Sequence, residues 1–133
     1  MKITELFGDQ LLDLADEVVG RGGVLAFRAR GHSMAPIIAD GDQVLLGPLA
    51  PGGARIGEVV LIRTDSGPRL HRLVQVDGNP DEQLFVARGD APGSSKDRIP
   101  GSAICGRVVR INRPWWRWLS PRLVFRAFTG NSP

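Results

Sequence analysis

The chain has 133 residues, of which 42% are hydrophobic and 23% are charged, and its formal net charge is +3. This length is that of one ordinary domain and suffices to bury a hydrophobic core. No run approaches the ~20 apolar residues that cross a bilayer, and the single cysteine, Cys105, excludes an internal disulfide.

The two parts of the chain carry opposite charge. Residues 1–97 hold all 14 acidic residues against 10 lysines and arginines, whereas residues 98–133 hold seven arginines and no acid. Such a tail is typical either of a solvated basic face or of a segment that meets an anionic surface. The acidic residues near the N-terminus do not fit a secretory leader, so we expect a cytoplasmic protein.

The first predicted element is an amphipathic helix over Glu5–Val19. Its apolar residues recur at helical spacing, while acidic residues occupy the other side. The apolar positions are Phe7, Leu11, Leu14 and Val18. The run GRGG follows directly and predicts the end of the helix.

After the helix, short β-type runs alternate with turns rich in Gly, Pro and Asp. The predicted strands are Val24–Ala29, Gln43–Leu46, Glu58–Arg63, Leu70–Val76, Leu84–Arg88 and Ile104–Ile111. Many short strands behind one helix predict a mainly β, mainly antiparallel domain. The predicted organisation is a helix over residues 1–22, a β domain over 23–112 and a tail over 113–133.

The tail contains the run RPWWRWLSPRLVFRAF, with all three tryptophans and four arginines. Pro121 interrupts any helix in it. One interpretation is peripheral membrane contact through residues 113–128, because Trp and Arg suit the headgroup region. In the other, the tryptophans pack over an open side of the β domain. We expect no nucleic-acid partner.

Few side chains in this sequence are suited to act as a general base. There are two histidines, two lysines and no tyrosine, and arginines stay protonated near neutral pH. His32 directly precedes Ser33, but neighbouring extended residues point to opposite faces, which makes it a poor base for that hydroxyl. Lys96 lies in a polar turn, where a solvated lysine is expected. His71 lies in a strand-like run, where a lone histidine is more often structural.

Two aspartates bracket most of the loop GDAPGSSKD. In one interpretation, Asp90 and Asp97 are turn formers or caps, as most loop aspartates are. In the other, one of them holds a histidine ring in a fixed tautomer, as the acid does in a Ser-His-Asp arrangement. The residues alone leave both interpretations open.

Four segments, in order, resemble the signal peptidase I family, within the superfamily that it shares with autoproteolytic repressors. The segment GHSMAPIIADGDQVLL resembles the nucleophile box, with Ser33 as its serine, and RIGEVVLI looks like the next box. LHRLV is similar to the segment with the general base, and His71 there matches the archaeal and endoplasmic-reticulum type. RGDAPGSSKDR resembles the last box. The resemblance as a whole covers roughly residues 24–111.

This resemblance implies both a fold and a chemistry. The fold would be a signal-peptidase/repressor-type β fold with a partly open, barrel-like core and a shallow peptide groove. Ser33 would attack a peptide bond, His71 would act as the base, and Asp97 would orient His71. The supporting residues would be Asp90, Ser95, Gly31 and Met34. The resemblance implies no metal or cofactor, and it implies a peptide or protein substrate with small residues before the cut.

The alternative function is a non-catalytic peptide-binding or regulatory module that retains the peptidase fold. The joint presence of Ser33, His71 and Asp97 favours the enzyme, because such a module has no chemical need for all three. We do not expect an autoproteolytic repressor, because the 32 residues ahead of Ser33 leave no room for a helix-turn-helix domain.

Overall fold

A computed structural model describes residues 8–79 and 81–113. Within them, one helix precedes seven strands, and a single 3-10 turn, Gly101–Ala103, joins the last two strands. The elements are α1 (Asp9–Gly20), β1 (Leu25–Arg28), β2 (Gln43–Gly47), β3 (Val59–Thr64), β4 (Gly67–Asp77), β5 (Leu84–Arg88), β6 (Lys96–Pro100) and β7 (Ile104–Asn112). The predicted residues 5–7 of the helix and the tail beyond Arg113 lie outside this part of the chain.

The strands form one sheet in the order β1-β2-β7-β3-β4-β5-β6, and every neighbouring pair is antiparallel. The sheet curls into a half-barrel, with β1 and β6 as its two edges. This architecture confirms the predicted fold class, a mainly β, partly open barrel-like domain with a leading helix. Within residues 8–79 and 81–113, the structure contains no helix with the length and hydropathy that a membrane span requires.

One strand was not predicted from the sequence. β6 spans Lys96–Pro100 and pairs with β5, so the assignment of Lys96 to a polar turn was wrong. Only Ile99 is buried in this strand, and its other residues are partly or fully exposed. Short, charged edge strands of this kind resist pairing with other chains and carry little hydrophobic periodicity.

The helix packs against one face of the sheet and shares its core. Leu12 and Ala15, at 1% and 0% exposed, lie in one cluster with Val44, Leu46 and Leu61. Each large aliphatic side chain buried in this way contributes about 1.5–3 kcal/mol. The apolar face of α1 therefore packs into the core of the β domain, and the helix is part of that domain.

A second hydrophobic cluster is formed by side chains of β3, β4, β5 and β6. Its buried members are Val60, Ile62, Leu73, Phe85, Ala87 and Ile99. The tight β3–β4 hairpin sets the register here, with Thr64 opposite Gly67 and Val60 opposite His71. This register places His71 at the edge of the second cluster.

Candidate active site

Ser33 lies in a loop of turns that joins β1 to β2. Gly31 has a φ of 95°, a conformation that glycine adopts far more readily than other residues, and its N–H donates to Asp40 Oδ1 over 2.9 Å. Met34 is 3% exposed and fixes the loop to the core. His32 and Ser33 were expected in an extended segment, but the loop consists of bends and turns. Ser33 itself is exposed.

The carbonyl of Ser33 joins this loop to the segment between β5 and β6. It accepts hydrogen bonds from the Ala91 N–H at 2.9 Å and from Ser94 Oγ at 3.3 Å. The approach is close at Gly89, where a Cβ atom would lie 2.4 Å from the Ser33 oxygen. A glycine at this position is therefore needed for the two loops to meet.

His71 and Asp97 come together on one face of the sheet. Leu73, Ala87 and Asp97 are paired in a row across β4, β5 and β6, and cross-strand partners share a face. His71 lies two residues before Leu73, so it shares that face as well. The small side chain of Ala87 on the intervening strand leaves room for Asp97 to reach His71.

The contact between these two residues is short and buried. His71 Nδ1 lies 3.0 Å from Asp97 Oδ2, and His71 is 2% exposed. The contact does not meet the geometry of a hydrogen bond, and neither atom has a hydrogen-bond partner within the described residues. Catalytic hydrogen bonds are often long or poorly aligned before substrate binds, so an approach of 3.0 Å still allows Asp97 to orient His71.

The surroundings of His71 lower its pKa below the usual value of 6.5. Burial is the largest cause, since it disfavours the charged imidazolium, and the nearby Arg69 guanidinium acts in the same direction. The carboxylate of Asp97 opposes both effects and raises the pKa. His71 therefore stays neutral near pH 7, which is the protonation state that a general base needs.

Asp90 has a different partner from Asp97. Its two oxygens accept hydrogen bonds from Arg72 Nε at 2.9 Å and Nη2 at 2.8 Å, and Arg72 also donates to the Gly57 carbonyl. The hydrogen bonds from Arg72 hold the pKa of Asp90 below its usual value. Of the two aspartates, Asp97 thus lies against His71, whereas Asp90 fixes its loop to β4.

Ser33 and His71 line the same cavity, which has a volume of about 500 Å³. Its apolar lining includes Phe27, Met34, Ile38, Leu61 and Leu70. Arg69, Ser94 and Ser95 line it as well. His32 and Lys96 do not line this cavity. The arrangement brings a serine hydroxyl and an imidazole to one cavity with a mixed polar and apolar lining, which is large enough for part of a peptide.

Sequence reasoning missed Arg69 and Ser94, and it placed Arg72 and Gly89 only as neighbours of His71 and Asp90 in the resembling segments. Arg69 lies 3.4 Å from both Asp97 Oδ1 and Ser95 Oγ, and Arg72 holds Asp90. Gly89 and Ser94 position the carbonyl of Ser33. The two-residue spacing between Arg69 and His71 indicated a shared face, but single charged residues in strands usually face solvent.

Comparison with known protein families identifies the family of this chain. The Peptidase S24-like family model matches residues 2–109, which include Ser33, His71 and Asp97. A search of the curated proteins gave no match.

Proposed function

Since the chain belongs to the Peptidase S24-like family, we propose that it is a serine endopeptidase with Ser33 as nucleophile, His71 as general base and Asp97 as the residue that orients His71. The observation that carries this proposal is the 3.0 Å contact of His71 with Asp97 beside a cavity that Ser33 also lines. The family match supports the superfamily. The closer resemblance to signal peptidases of the Ser-His type is part of the proposal.

The proposed reaction begins when Ser33 Oγ attacks the peptide carbonyl carbon. His71 Nε2 takes the hydroxyl proton and later passes it to the leaving amine, while Asp97 stabilises the imidazolium through Nδ1. Water then attacks the acyl-enzyme, again with His71 as base, and releases the new carboxyl end with Ser33 restored. The Ser33 N–H would donate to the oxyanion, and loss of one such donor typically costs roughly 3–4 kcal/mol.

The substrate in this proposal is an extended peptide. β1 is an edge strand, and the Phe27–Gly31 segment that contains its end lines the cavity. A peptide can therefore add to β1 as another antiparallel strand, with main-chain hydrogen bonds giving affinity and the cavity selecting side chains. The resemblance implies small residues before the cut. A space of about 500 Å³ holds several such residues together.

Cleavage profiling of the full-length protein on a mixed peptide library tests this proposal. We expect cleavage that Ser33→Ala abolishes and that His71→Gln lowers by about 10²–10⁴-fold. His32→Gln is the matched control and should retain activity, because this histidine does not line the cavity. Cleavage that survives Ser33→Ala would overturn the proposal, and peptide binding without cleavage would favour the non-catalytic module.

A further inference from the structure

We propose that Arg69 is a positioning residue of this site. It holds the Asp97 oxygen that does not face His71, and it keeps His71 available as a base. The inference rests on the proposed function and adds a residue outside the four resembling boxes. Arg69 Nη1 lies 3.4 Å from Asp97 Oδ1, while Asp97 Oδ2 faces His71 at 3.0 Å. Each carboxylate oxygen therefore has its own cationic or imidazole partner.

The strand geometry makes this arrangement specific. Arg69 and His71 are two residues apart on β4, so their side chains project from the same face. Asp97 reaches that face from β6, across the small Ala87 on β5. Arg69 also lies 3.4 Å from Ser95 Oγ, on the segment that leads into β6. The guanidinium thus joins the strand of the base to the segment of the acid.

The charges around His71 give Arg69 a second effect. The charged groups that act on His71 are Asp97, Arg69 and Asp90. The two carboxylates favour the imidazolium, whereas Arg69 disfavours it. Since the side chains of Arg69 and Asp97 are 35% and 19% exposed, water screens these effects only in part. Without Arg69, the carboxylate would hold the proton on His71 at higher pH.

The direct test is an NMR titration of His71 in the full-length Ser33→Ala protein, which needs no catalytic activity. Substitution Arg69→Gln should move the His71 titration to higher pH, and Arg69→Lys should move it less because the charge is kept. The matched control is Arg98→Gln, because Arg98 follows Asp97 on β6, points to the opposite face and pairs with Asp77. An unchanged His71 titration in Arg69→Gln, or an equal shift in Arg98→Gln, would overturn the inference.

Kinetics on the active protein separate positioning from substrate contact. We expect Arg69→Gln to lower kcat by about 10- to 100-fold, with KM changed less, because a misplaced base slows the chemical step. The acid limb of kcat/KM should move to higher pH together with the NMR titration. A rise in KM with kcat unchanged would assign Arg69 to substrate binding instead. If the titration shifts but no Ser33-dependent cleavage exists, the coupling stands and the proposed function fails.

Discussion

His71 sets the pH range in which the proposed chemistry operates. In the proposed mechanism the neutral imidazole accepts the proton of Ser33, so protonation of His71 would remove activity. Burial and Arg69 place its pKa below 6.5 in the folded protein. We therefore expect kcat/KM to rise with pH, with its midpoint below 6.5, and to level off at higher pH. A pH–rate profile from pH 4 to 8 checks this.

A profile without an acid limb, or with a midpoint above 6.5, would contradict this role of His71. The Asp97→Asn variant provides a second check, on the direction in which Asp97 shifts the pKa of His71. Loss of the carboxylate removes the main influence that raises the pKa of His71, so the acid limb should move to lower pH while kcat falls.

Substitution of Gly89 tests whether the contact between its loop and Ser33 positions the Ser33 hydroxyl. A Cβ atom at this residue would lie 2.4 Å from the Ser33 carbonyl oxygen and 2.7 Å from Ser94 Oγ, so Gly89→Ala must displace one of the two loops. We expect kcat/KM to fall about 100-fold, the effect of a displacement near 1 Å. Gly20→Ala is the control, because no atom lies within 4 Å of its added Cβ. Full activity in Gly89→Ala would show that this contact does not position Ser33.

The sequence predicted the residues that carry the resemblance, but it did not predict the residues that contact and position them. The resemblance implies roles for Ser33, His71 and Asp97, and the structure brings His71 and Asp97 into contact. Arg69 and Ser94 were missed because their roles depend on which segments meet in space. A single sequence records such a meeting only through motifs. Arg69 lies outside the four resembling segments, and Ser94 lies in the last of them with no role assigned to it.

At the scale of elements, the connection between β4 and the loop after β5 supports the site. Arg72 and Asp90 are 31% and 18% exposed and make two charge-assisted hydrogen bonds. We expect Arg72→Gln to lower the free energy of unfolding by about 1.5–3 kcal/mol, since hydrogen bonds to charged groups contribute that much. Urea unfolding at pH 7 measures this, and the double variant with Asp90→Asn measures the coupling. Additive losses from the two single variants would contradict the proposed connection.

The strands with apolar residues were predicted well. Residues such as Val60, Leu61 and Ile62 mark β3 by composition alone, and the predicted bounds of β5 agree with those observed. β6 was not predicted because its sequence, KDRIP, contains only one buried side chain, Ile99, and so shows no apolar alternation. Its pairing with β5 comes from the register of the finished sheet.

At the scale of the whole molecule, Arg113 lies beside the loop between β1 and β2 that contains Ser33. Arg113 donates to the buried Asp42 and to the carbonyls of Pro36 and Ile37. The tail that follows, residues 114–133, carries three arginines, no acid and all three tryptophans. We propose that this tail contacts anionic membrane surfaces. The prediction of a cytoplasmic location and the division into residues 1–22, 23–112 and 113–133 stay predictions.

Tryptophan fluorescence reports on the tail alone, because residues 115, 116 and 118 are the only tryptophans in the chain. We expect vesicles with phosphatidylglycerol to shift the emission of the full-length protein to the blue. Vesicles of phosphatidylcholine alone should have a weaker effect, and added salt should reverse the electrostatic part. The matched variant replaces Arg117, Arg122 and Arg126 with Gln. Emission that is already blue-shifted and does not respond to vesicles would favour packing of the tryptophans over the β domain.

The central claim is that Ser33 is a nucleophile that His71 activates. The most direct measurement is covalent labelling of the full-length protein with a serine-reactive phosphonate probe, followed by peptide mass mapping. We predict modification at Ser33 alone, its loss in Ser33→Ala, strong slowing in His71→Gln and normal labelling in His32→Gln. Labelling at another residue, or equal rates with and without His71, would contradict it.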